Sequence, residues 1–126
     1  MSEAHSIVTP HRIIIAGSRD FFDYDLLKRS CDIVLERAKK PIEIVSGNAR
    51  GADRLGEKYA RDHGHILTLF PAEWDKYGKS AGFRRNIKMA GYADVLIAFS
   101  HNNSRGTAHM IQQAVKYNLI TRVINI

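Results

Sequence analysis

Four polar stretches hold the residue types that bind anions or move protons. The fullest is Ser46-Gly47-Asn48-Ala49-Arg50-Gly51-Ala52-Asp53, which follows the apolar run Ile42-Glu43-Ile44-Val45 and opens a helical pattern. Glycines let backbone N–H groups approach a ligand, and a helix N-terminus adds partial positive charge, so this is a turn suited to a phosphate. It is neither the dinucleotide fingerprint G-x-G-x-x-G nor a P-loop, since no Gly-Lys-Ser/Thr follows. The other stretches are Gly17-Ser18-Arg19-Asp20, the long connection from Pro71 into Asn86, and Ser100 to Thr107. Arg19, Arg50, Arg85 and Arg105 carry planar guanidinium groups that fit phosphate oxygens two at a time. Trp74 and Tyr77 offer faces on which a base can stack, or else they pack as a lid on the sheet. Ser18, Ser46 and Thr107 either donate to a ligand or cap the helices that follow them. Asp53 is the best-placed acid, with two readings open: a group facing the ligand, or a first-turn carboxylate holding backbone N–H groups. The six histidines show no metal spacing, so no metal site is expected, and no cofactor beyond a Mg²⁺ that a phosphorylated ligand would bring with it.

The elements that must position these stretches alternate. His11–Ala16, with three consecutive isoleucines, reads as a central parallel strand buried on both faces. Tyr24–Lys39 has helical spacing, with Leu27, Cys31, Val34, Leu35 and Ala38 on one face and Asp23 or Asp25 as its cap. Ile42–Val45 is the second strand, and Gly51 to Asp62 a helix with Ala52, Leu55 and Tyr59 inward, closed at His63-Gly64. His65–Phe70 is the third strand. Ala81–Ala90 is a helix with Phe83, Ile87 and Ala90 inward, and Asp94–Phe99 a buried strand. The next helix places Met110, Ile111, Ala114 and Val115 on one face, and Arg122–Ile126 is a last strand. The sum is an α/β, Rossmann-like three-layer fold with a mostly parallel five-stranded sheet between helices. Ligands in such sheets bind beyond the carboxyl ends of the strands, and all four polar stretches fall at that edge.

The chain has 126 residues, which fits one domain over residues 11–126 behind a loose leader at 1–10. Nineteen Lys and Arg against thirteen Asp and Glu leave a net charge of +6, a balance that favours phosphorylated or polyanionic partners. The single cysteine cannot form an internal disulfide and reads as a core residue. Met1 to His11 has no apolar signal region, and no run approaches the ~20 apolar residues that span a bilayer. A cytoplasmic protein with no membrane partner is expected.

Together these motifs resemble the YspA-like SLOG family, part of the SLOG superfamily that includes DprA (Smf) and the LOG phosphoribohydrolases. The resemblance rests on Gly17-Ser18-Arg19, on Ser46-Gly47-x-Ala49-x-Gly51-x-Asp53, on Trp74, on Ala81-Gly82-Phe83-Arg84-Arg85-Asn86 and on Gly106-Thr107-Ala108, in order over residues 12–126. It implies a nucleotide or nucleotide-derived ligand, sensed or sequestered, and a homodimer or higher oligomer. The site it implies comprises Gly17, Ser18, Arg19, Ser46, Gly47, Arg50, Gly51, Asp53, Trp74, Tyr77, Arg85, Asn86, Gly106 and Thr107. The LOG enzymes carry a glutamate that takes part in cleaving an N-glycosidic bond, and here that position is Met110, while their Gly-Gly pair becomes Asn102-Asn103 or its neighbours. A thioether neither stabilises an oxocarbenium ion nor protonates a leaving base. A nucleotide N-glycosidase is therefore the alternative, with Asp53 and Arg85 as its catalytic residues. A DprA-like single-stranded nucleic-acid binder is the third reading.

Overall fold

The computed structural model describes residues 11–101 and 104–126. The leader at 1–10 and the Asn102-Asn103 pair lie outside the described residues. Along the chain run β1 (His11–Gly17), α1 (Tyr24–Val34), β2 (Ile42–Ser46), α2 (Ala52–Asp62), β3 (Ile66–Leu69), a short α3 (Trp74–Tyr77) with a 3₁₀ turn (Gly78–Ser80), α4 (Ala81–Tyr92), β4 (Val95–Ser100), α5 (Arg105–Lys116) and β5 (Ile120–Asn125). The five strands are all parallel, in the order β3-β2-β1-β4-β5. The chain builds outward from β1 in one direction and then returns to build in the other, so the topological switch lies between β1 and β4.

The alternation of the strands sorts the core into two layers. Ile13, Ile15, Ile44, Ile97 and Phe99 meet Leu27, Cys31 and Tyr59 from α1 and α2. Ile14, Ala16, Val45, Leu96 and Ala98 meet Met89, Met110 and Ala114 from α4 and α5. Ile13, Ile14 and Ile15 have no exposed surface, and burying each such side chain is worth roughly 1.5–3 kcal/mol. No helix among the described residues is long and apolar enough to cross a membrane.

Local differences from the sequence expectation have local causes. Asp23, not Asp25, caps α1 by accepting from the Leu26 N–H. That helix stops at Val34 rather than Lys39: Leu35 is the last buried residue of the run, and Ala38 packs on the same core from the turn beyond, its N–H donating to the Leu35 carbonyl at 3.0 Å. β3 is an edge strand, with Ile66 and Leu69 each 45% exposed. In α4 the expected inward residues Phe83 and Ile87 are exposed, and the buried ones are Ala81, Asn86, Met89 and Ala90. The helix rolls this way because buried Asn86 finds its hydrogen-bond partners there. Val115 on α5 is also exposed, while Met110 and Ala114 face the sheet.

Candidate functional site

The site grows from the ends of β1 and β4. Gly17 pairs with Phe99 across the two strands, and the Ser18 N–H donates to the Phe99 carbonyl at 3.0 Å. Past this point the chains diverge: β1 turns through Ser18-Arg19-Asp20, and β4 leads into α5. Ser104 caps α5, its Oγ accepting from the Thr107 N–H and lying 2.6 Å from Thr107 Oγ1. The first turn of α5 thus brings its N–H groups and positive dipole end to the cleft left between the diverging strands.

That cleft has a volume of about 470 Å³. Gly17, Ser18 and Arg19 form one wall and Ser104 to Thr107 the other, with Met89 and Met110 in the lining. Four cations border it, Arg19, Arg50, Lys79 and Arg105, against two acids, Asp20 and Asp53. Asp20 is exposed and pairs with Arg50 at 3.5 Å. The field is therefore positive where the helix dipole is also positive.

Behind the cleft lies a buried junction. A methyl group at Gly47 would lie 2.6 Å from Arg85 Nη1 and 2.8 Å from Asp53 Oδ2, so only glycine leaves room for both groups. Arg85 donates from Nη1 to the Gly47 carbonyl and from Nε to Asn86 Oδ1 at 3.1 Å. Asn86 in turn directs Nδ2 at the Gly106 carbonyl, 3.2 Å away, with His109 Nδ1 at the same distance. The turn after β2 is thereby tied through α4 to the first turn of α5. Asp53 accepts from the Ala49 N–H at 3.3 Å. Burial pushes its carboxyl up to about 6, against the opposing pull of Arg85 and the backbone N–H groups of Ala49 and Gly17. Burial also lowers the Arg85 pKa.

Of the residues expected at the site, Gly17, Ser18, Arg19, Arg50, Asp53, Trp74, Asn86, Gly106 and Thr107 line this one cleft. Gly47 lines an adjoining hollow. Arg85 and Tyr77 line a third, which also takes in Arg84 and Lys88. Ser46 lies behind the turn with no exposed surface, donating to Glu57 Oε2 at 2.8 Å and accepting from the Asn48 N–H. Gly51 packs on the chain itself: its φ is +79°, and a methyl group there would lie 2.4 Å from the Ser18 carbonyl oxygen. The Ala52 N–H donates to that same oxygen, so the start of α2 is engaged with the β1 turn. The sequence reading missed Lys79 and Ser104. A serine three residues before Thr107 at the head of a helical pattern is a readable capping signal, whereas Lys79, on the 3₁₀ turn before α4, carries no such local signal.

An all-parallel sheet between two helical layers, with a basic cleft at its switch point, places the chain in the Rossmann-like α/β class. Within it, the YspA, cpYpsA-related SLOG family matches residues 11–77. The chain is 38% identical over 112 residues to the Gene 61 protein of Mycobacterium phage D29, spanning 83% of this chain and 89% of that one. The chain belongs to this SLOG family. Its fold is also that of DNA processing protein A (DprA) from Streptococcus pneumoniae, with a TM-score of 0.70 at 18% identity. That match covers 90% of this chain but 50% of DprA, so the chain spans half the length of that protein.

Proposed function

We propose that this protein binds a nucleotide or nucleotide-derived ligand at the carboxyl edge of its sheet. The observation that carries the reading is the pairing of the β1 turn with the first turn of α5 across one cationic cleft. A phosphate sits between the two turns, where N–H donors, a helix dipole and the Arg19 and Arg105 guanidinium groups converge. Trp74, 49% exposed at the rim, offers a face to the base. Met110, buried in the cleft lining, brings no acid to the ligand, which favours binding over cleavage.

One observation keeps a second reading. Asp53 lines the cleft, and its carboxyl, raised to about 6, is poised for proton transfer near neutral pH. An N-glycosidase would use it as the general acid. Nucleic-acid binding rests on the shared fold with DprA and the charge of +6.

Thermal unfolding against mono-, di- and cyclic nucleotides, ADP-ribose and NAD, with product analysis of each hit, tests the proposal. A nucleotide at 100 times its dissociation constant adds about 2.7 kcal/mol of stability. The shift is expected to shrink in Arg19→Ala and Arg105→Ala, whose side chains are exposed, with the nucleotide recovered intact. Free base released by the wild type and not by Asp53→Asn would establish the hydrolase instead. A transition that no nucleotide moves would overturn the proposal.

A further inference from the structure

The cleft is not alone at this edge. A second hollow of about 460 Å³ adjoins it, lined by Gly47, Asn48, Pro71 and Ala72. The two share Arg19, Ala49, Arg50 and Trp74. A common wall of two exposed arginines and a half-exposed tryptophan is no packed partition: it is a cationic ridge with an aromatic plate, open to solvent on both sides. Each hollow has the size of a small-molecule pocket, roughly 300–1,000 Å³.

We infer that the site takes a two-part ligand, two nucleoside-sized units joined by a diphosphate, with one unit in each hollow and the bridge running from the phosphate position at Arg19 across to Arg50. This rests on the reading of the first cleft as a nucleotide site. The bridge is assigned by charge. Two guanidinium groups stand at the junction, which the two negative charges of a diphosphate diester match and the single charge of a phosphodiester does not. The acid paired there is Asp20, 3.5 Å from Arg50, with both side chains well exposed, at 86% and 71%. An exposed pair of this kind is worth little, so a phosphate readily displaces Asp20 from Arg50. The second hollow is also a built surface. Asn48 holds a φ of +60°, a conformation asparagine tolerates better than most residues. Its backbone is fixed by the N–H bond to Ser46 Oγ at 3.0 Å and by Arg54 Nε on its carbonyl at 3.2 Å. Its side-chain amide supplies a donor and an acceptor to a sugar or base edge.

The test is calorimetric titration of the full chain with AMP, ADP, diadenosine diphosphate and the dinucleotide pApA at one salt concentration. Diadenosine diphosphate is expected to bind at least tenfold more tightly than ADP, although ADP carries more charge. Ala72→Phe, which fills the second hollow, should return its affinity to the ADP level and leave AMP and ADP unchanged. Asp20→Asn should strengthen diadenosine diphosphate binding. Should Ala72→Phe fail to fold, Asn48→Gly keeps the backbone conformation, removes the amide, and is expected to weaken only the two-part ligand. AMP and ADP binding with no gain for diadenosine diphosphate would overturn the second subsite and leave the nucleotide reading standing. An equal gain for pApA would overturn the diphosphate assignment in favour of a nucleic-acid track. Binding by none of the four would remove both readings.

Discussion

Asp53 is the residue on which the site is hinged. It touches the turn after β2 through the Ala49 N–H, shares Gly47 with Arg85, and lines the cleft with one edge. Its carboxyl is raised to about 6 from 3.8, so between those values the folded chain holds a proton that the unfolded chain has released. Stability from this group therefore grows as pH falls from about 6 towards 4 and is lost as pH rises through 6; the displacement corresponds to a limit on the order of 3 kcal/mol. Urea unfolding of wild type and Asp53→Asn between pH 4.5 and 7.5 checks the sign: wild type should gain on the variant as the pH is lowered. A gain in the opposite direction would mean that Arg85, not burial, governs this carboxylate. The sequence made Asp53 stand out by its place in the first turn of a helix, and both readings open at that stage survive in the structure. Ser46 was less legible. Its partner Glu57 is eleven positions away, and nothing in the local pattern says that α2 turns that carboxylate towards the strand end.

Two helix starts, built from similar residues, do different work. α2 follows Gly51, which packs directly against the Ser18 carbonyl, whereas Gly106 in the first turn of α5 has no atom within 4 Å of where a methyl group would lie. One glycine is required by packing and backbone conformation, and the other leaves open space at the cleft. The same substitution should then have opposite effects. Gly51→Ala forces a side chain into the left-handed region against backbone atoms and is expected to cost on the order of 2 kcal/mol. Gly106→Ala removes a helix glycine without a clash and should stabilise by roughly 0.5–1 kcal/mol. Denaturant unfolding of the two variants measures both, and a destabilised Gly106→Ala would refute the open first turn. From sequence alone these glycines looked equivalent, because the distinction depends on which chain segment lies opposite. The roll of α4 was hidden for the same reason: Phe83 and Ile87 have inward spacing, but Asn86 has partners on α5 that a helical wheel does not contain.

At the scale of the whole molecule, the strands were the most legible part, since a sheet buried on both faces writes itself as continuous apolar runs. What joins the two helical layers into one unit is that sheet, and Cys31 reports on the α1–α2 layer. It is the only thiol in the chain, it has no exposed surface, and burial, with the Asp32 charge beside it, pushes its pKa up to about 12. A thiolate-selective reagent at pH 8 therefore has nothing to attack until α1 opens. Labelling should be negligible in the folded protein and complete in denaturant. The informative quantity is the effect of the tightest-binding nucleotide of the panel. If Cys31 is exposed only by unfolding of the whole domain, nucleotide at 100 times its dissociation constant should slow labelling about 100-fold, because the unfolded population falls by that factor. The link exists in the structure: α2 packs on α1 through Tyr59, whose hydroxyl donates to Asp32 at 2.8 Å, and α2 begins where Gly51 meets the cleft-lining β1 turn. Labelling indifferent to the nucleotide would show that α1 opens by itself, and that the cleft and this helical layer are separate cooperative units.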